Sequence, residues 1–226
     1  KSIAGLRPSF TKIESLPKIL PSIQEEIINE ISWSGPNITI EDLKQLKDTL
    51  ILHRGEGVPF SIHFNMENFS QNPIEQIQQI WIGKYAGART LTLPYSALIQ
   101  EGKVSQLTSL LCGTNRVWTD GIEPLGWYKY SETTKAFVFQ SLSHWIMVFW
   151  GTEPITLSGE GLATTQFFDS YGNPSTLPQV NDNSLSLDDK PCPQYLLGNT
   201  YEILYITAVN ELNTIAKDLN LDEFSL

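Results

Sequence analysis

Residues 136–150 read Ala-Phe-Val-Phe-Gln-Ser-Leu-Ser-His-Trp-Ile-Met-Val-Phe-Trp, and this stretch decides the fold class. Two short runs rich in Phe, Val, Ile and Trp flank a polar turn around Ser141 and Ser143, the pattern of a hairpin rather than a helix. In the second run Trp145, Met147 and Phe149 fall on one side of a central strand. Working outward, 127–130 gives a preceding strand, 131–135 a polar turn and 165–169 a following strand. Hairpins joined by polar turns account for this half of the chain.

The N-terminal side reads differently. Ser22 with Glu25 forms a capping box that opens a helix, and Ile23, Ile27, Ile28 and Ile31 make its apolar stripe. Ser34-Gly35-Pro36 stops it, and Thr39 with Asp42 starts a second helix carrying Leu43, Leu46, Leu50 and Ile51. Residues 58–64 alternate as a half-buried strand, Asn72-Pro73 opens a third helix with Ile74, Ile77 and Trp81 on one side, and 89–93 is a short strand. Residues 96–100 and 104–111 read as helical or turn-like pieces. The stretch 172–200, punctuated by Pro174, Pro178, Pro191, Pro193 and Gly198, reads as one long loop. Ile203, Ile206, Val209 and Leu212 lie at helical spacing in a last helix over 201–219. The expected architecture is α+β. It is a single domain over 1–226 with an antiparallel or mixed sheet, a helical N-terminal layer over 1–55 and a C-terminal helix.

Composition narrows the partners. Lys+Arg 15 against Asp+Glu 25 gives a net charge of −10, a field that repels phosphate and anionic lipid, so neither nucleic acid nor a membrane surface is expected. The longest purely apolar run, 145–150, is far below the roughly 20 residues of a membrane span. The chain opens on Lys rather than Met, so the lack of an apolar leader carries no weight for compartment. Asn37-Ile38-Thr39 and Asn68-Phe69-Ser70 match the glycosylation acceptor pattern and leave secretion open. Cys112 and Cys192 form no Cys-x-x-Cys motif. His53 and His63 have no third ligand in register, and Asn181-Asp182-Asn183 lacks the order of a calcium loop. No metal and no cofactor are expected.

The chemistry-bearing constellation is His144-Trp145, followed 25 positions later by Asp169 within Phe167-Phe168-Asp169-Ser170-Tyr171-Gly172. A carboxylate on one ring nitrogen would fix the tautomer of the imidazole and raise its basicity. Over about thirty residues this text resembles the adenovirus-type and ubiquitin-like-protein-processing cysteine proteases. The resemblance implies His144 as base and Asp169 as its orienter. That family carries its nucleophile in a downstream Gln…Cys-Gly segment leading into a helix, and this sequence departs there: Cys192 sits between Pro191 and Pro193, while Cys112-Gly113 lies upstream. The plainer reading makes His144 the start of a core strand and 169–174 a turn.

Six aromatics crowd into 118–150. Trp145 and Trp150 read as core, whereas Trp118, Trp127, Tyr128 and Tyr130 stand beside loops and suit a ligand or partner surface. With charged residues at 18%, below the roughly 25% of soluble domains, the expected function is a non-enzymatic binding or protein-interaction domain with an aromatic-rich surface. It would serve a protein or small polar ligand, as an oligomer or a subunit of an assembly. The alternative is a papain-like cysteine hydrolase using His144, Asp169 and Cys192.

Overall fold

The structure is a computed structural model of the 226-residue chain. It describes residues 9–10, 31–33, single positions between 42 and 52, 60–64, 69–118, 122–129, 133–158, 162–178, 180–181 and 184–199. Helices together with antiparallel sheets place the chain in the α+β class. Within the stretch that the sequence reading takes as one domain, residues 1–108 and 109–226 form two compact units.

The first unit holds a parallel sheet of β1 (Ser9–Phe10), β2 (Ile31–Trp33), β3 (Phe60–His63) and β4 (Thr90–Thr92), ordered in space as in sequence. Helix α1 (Pro73–Tyr85) links β3 to β4, which makes a βαβ unit. Its start is written locally: Asn72 Oδ1 accepts from Ile74 N at 3.0 Å, and Pro73 takes the position where a missing N–H costs nothing. Ile77, Ile80 and Trp81 are its buried face. Gly83 has the reason of close approach, since a Cβ there would lie 2.9 Å from Leu91 Cδ2 and 3.0 Å from Ile62 Cδ1. The helix therefore lies directly on β3 and β4. Parallel strands laid down one after another, without reversal of order, are the winding of a β/α barrel rather than of a doubly wound sheet. After β4 come α2 (Tyr95–Leu98) and a hairpin of β5 (Ile99–Gln100) and β6 (Lys103–Val104). Glu101 and Gly102, at φ 51° and 73°, supply the two left-handed positions that its tight turn requires.

The second unit takes in α3 (Gln106–Val117) from residue 109 on, and two antiparallel sheets. The six strands of the larger sheet are β7 (Glu123–Lys129), β8 (Lys135–Gln140), β9 (His144–Trp150), β11 (Gln166–Phe168), β12 (Pro174–Ser175) and β15 (Gln194–Asn199), in spatial order β12-β11-β15-β9-β8-β7. The smaller comprises β10 (Ile155–Ser158), β13 (Val180–Asn181) and β14 (Ser184–Leu187), in order β10-β14-β13. Ala136, Val138, Trp145, Met147, Phe149 and Leu196 of the large sheet share a core with Ile155, Leu157, Leu185 and Leu187 of the small one. This is a β-sandwich. On the other face of the large sheet Phe137, Phe139, Ile146, Val148 and Tyr195 are also buried. There the Trp118 ring meets Phe139 edge-on at 5.2 Å, and Thr114 Oγ1 lies 3.4 Å from Tyr195 Oη. Cover on both faces is why β9 reads as an unbroken apolar run.

Three expectations change. The stretch 172–200, expected as a long loop, carries β12 to β15. Its prolines stand at the first residue of β12 or between strands, so they mark turns separating short strands. Ile31, expected at the end of a helical stripe, opens β2. The layer 1–55, expected as helical, thus contributes β1 and β2 beside helical residues such as Asp42, Gln45, Leu46 and Asp48. The rest of the expected first helix and the C-terminal helix over 201–219 lie outside the described residues. Among the described residues no helix is long and apolar enough to cross a membrane.

Candidate functional site

His144 opens β9 opposite Asn199 of β15, and its Nδ1 lies 3.1 Å from Ser141 Oγ and 3.0 Å from Ser143 Oγ. The imidazole is half-buried and belongs to the hairpin turn that the sequence places before it. Asp169 follows β11, where Phe168 pairs with Tyr195 and Tyr195 with Val148. Asp169 is therefore level with Phe149, five residues along β9 from His144 and two strands across. Strand geometry makes that about 17 Å along and about 10 Å across, roughly 20 Å in all. The carboxylate is engaged locally: Oδ1 accepts from Tyr171 N and Asn173 N, both at 2.9 Å, and Oδ2 from Asn173 Nδ2 at 3.1 Å. Gly172 at φ 68° completes a tight turn, and its approach to α3 is close enough that a Cβ there would lie 2.5 Å from Gly113 O.

Cys192 leads into β15 at the same end as Asp169, away from His144. Burial pushes its thiol up from the ordinary range. The Asp169 charge pushes the same way, against a Ser170 hydrogen bond that favours the thiolate. The structure thus brings Cys192 to the carboxylate and not to the imidazole, and a thiolate beside an anion is a poor nucleophile's setting. The cysteine-hydrolase alternative is corrected on this geometry. Cys112, the other free cysteine, is exposed on α3. We expect an alkylating agent near neutral pH to label Cys112 well before Cys192. Asp169→Asn should accelerate Cys192, because removing the anion lowers the thiol's pKa and raises its thiolate fraction. Mass spectrometry of the native protein across pH reads both rates, and an unchanged Cys192 rate in the variant would count against the Asp169 contribution.

Of the aromatic set, Trp118 is half-buried against Phe139, and Trp127 and Tyr128 occupy the edge strand β7 opposite Phe137 and Ala136. Tyr130 lies outside the described residues. Trp145 and Trp150 are buried. Among the described residues no group of three His, Cys, Asp or Glu side chains stands ready for a metal ion.

The first unit offers a different place. In parallel β/α architectures function collects at the C-terminal ends of the strands, where the strand-to-helix connections begin. Here the connection from β3 to α1 brings Phe69, Ser70 and Gln71, with Gln76 from the first turn of α1, into a cleft. Its other side is Pro94, Ser96, Ala97 and Gln100, which follow β4. The cleft is shallow, with a volume of about 10 Å³, room for about one water. Its floor is ordered: Gln76 is buried, with Nε2 donating to Ser70 O at 2.5 Å, and Ser70 Oγ donates to Glu75 Oε2 at 2.5 Å. Tyr95, between two lining residues, is 75% exposed. Sequence reasoning missed this edge. It found a strand at 58–64, a helix opened by Asn72-Pro73 and a strand at 89–93 without joining them into a βαβ unit, the signal that would have pointed to the ends of β3 and β4.

No protein family and no curated protein matches the sequence. The solved structures that match include two xylanases. One is a GH30 endoxylanase from Clostridium papyrosolvens C71, with TM-score 0.53 and 8% identity, over 78% of this chain and 50% of that one. The other is Xyn30A, a glycoside hydrolase family 30 subfamily 8 xylanase from Clostridium acetobutylicum, with TM-score 0.47 and 7% identity, over 83% and 59%. The chain thus spans about half the length of the first of these. The expected non-enzymatic binding or interaction domain is overturned by this finding: the protein sharing the fold is an enzyme, and the match covers more of the chain than either unit alone.

Proposed function

We propose that the chain is part of a glycoside hydrolase acting on xylan or a related polysaccharide, with its chemistry at the C-terminal edge of β3 and β4. The observation that carries this reading is the fold shared with an endoxylanase across residues of both units. The parallel winding supports it, because that winding gathers strand-to-helix connections at one edge. Glycoside hydrolysis draws on a pair of carboxylates, one to protonate the leaving oxygen and one to act as nucleophile or base. In the sequence, the connection from β3 to α1 carries one acid, Glu67, four positions after His63. The net charge of −10 also agrees with a neutral polymer better than with an anionic one.

The test is to incubate the full-length protein carrying this chain with neutral xylan and follow new reducing ends. Steady release is expected. A folded protein that releases none from xylan or related neutral polysaccharides would overturn the reading.

A further inference from the structure

We propose that His63 and Thr92, side by side at the C-terminal ends of β3 and β4, are the residues of this edge that bind the hydroxyls of a neutral polysaccharide. The inference rests on the reading of the edge as a glycoside hydrolase site, and adds which side chains hold the sugar. Three observations carry it.

The first is the face. Ile62 and Leu91 lie against α1, where a Cβ on Gly83 would meet them. Side chains alternate along a strand, so Ser61 and His63 of β3 and Thr90 and Thr92 of β4 stand on the opposite face, the inner one of a β/α winding. The second is the end. His63 and Thr92 are register partners and the last residues of their strands, and just beyond them Phe64 N donates to Thr92 O at 2.9 Å. The two strand ends are thus pinned side by side, about 5 Å apart. From there the chain passes into the connection that carries Glu67, four residues after His63. The third is chemistry and access. Packed barrels fill their inner face with bulky branched side chains. This face instead has Ser61 and Thr90 in one row and His63 and Thr92 in the next, and register continues the first row through Ser32 of β2 and Ser9 of β1. Ser61 is buried, His63 half-buried and Thr92 exposed, so the polar face opens to solvent at the end where the two residues stand. A neutral imidazole donates from one ring nitrogen and accepts at the other, and a threonine hydroxyl does both, which is what neighbouring sugar hydroxyls require.

The experiment follows the imidazole signals of the full-length protein by NMR during titration with xylotriose. The chain has three histidines, and the signal lost in His63→Gln is that of His63. Saturable binding is expected, with the His63 signal shifting and that of His144 staying in place. His63→Ala should weaken binding about tenfold or more and Thr92→Val about fivefold, the loss of one or two hydrogen bonds to the sugar. Thr92→Val keeps the shape of an exposed strand residue, so it carries the test should His63→Ala fail to fold. Xylotriose that fails to bind, a His63 signal unmoved at saturation, or binding indifferent to Thr92→Val would each overturn the assignment. The two readings fail separately. Binding that depends on His63 and Thr92 without release of reducing ends removes the hydrolase and keeps the binding residues; hydrolysis with KM unchanged in both variants removes the binding residues and keeps the hydrolase.

Discussion

Trp145→Ala is expected to destabilise the antiparallel unit by about 3–5 kcal/mol, the range for emptying a buried tryptophan site. The side chain has 0% exposure and lies in the core shared by the two sheets of the sandwich. Its buried Nε1 has no hydrogen-bond partner among the described residues, so the loss is one of packing and apolar burial rather than of a polar network. Gly198 on β15, its register partner, sets the space the ring uses: a Cβ there would lie 2.6 Å from Trp145 Nε1, Cε2 and Cζ2. Gly198→Ala alone should therefore cost about 1–3 kcal/mol by overpacking. In the Trp145→Ala background the same substitution should cost close to nothing, because the atoms it would strike are gone. Urea unfolding of the two single variants and the double variant measures this coupling. Additive losses would mean that Trp145 and Gly198 do not share that space.

Under the hydrolase reading proposed above, Glu67→Gln is expected to lower the rate of xylan hydrolysis by about 100-fold or more. The substitution keeps the shape of the side chain and removes its charge and its proton-transfer capacity, which are worth about 10²–10⁴ in rate for a positioned acid or base. Glycoside hydrolysis leans on such a group at every turnover, whether it protonates the leaving oxygen or attacks the sugar. The measurement is kcat on soluble xylan with purified full-length protein, wild type against variant. Retained kcat would move the carboxylate away from the β3–α1 connection and leave the edge without an assigned acid.

The helix over 73–85 was legible because its signals are local. Asn72 and Pro73 mark its start through a cap two residues long, and Ile77 and Trp81, four residues apart, mark its buried face by their spacing. The turn at 169–174 was legible for the same reason, since Asp169 accepts from backbone and side-chain groups two and four residues ahead. The His144–Asp169 pairing failed because it depended on which strands lie side by side. Sequence adjacency of two strands suggested neighbours, whereas β15, from 194–199, inserts between them.

What the sequence by itself determined was the strands around 127–130, 136–140, 145–150 and 165–169, the core role of Trp145 and Trp150, and the helix after Asn72. Each follows from side-chain periodicity and backbone chemistry that act over a few residues. What only the tertiary structure decided was the parallel winding of β1 to β4 and the strands within 172–200. The tertiary structure also placed the cleft between the segments after β3 and β4. Strand partners are chosen by contacts between residues far apart in the chain, and the same apolar run serves a parallel or an antiparallel neighbour. A site built from the ends of two parallel strands therefore came into view only once their order was known.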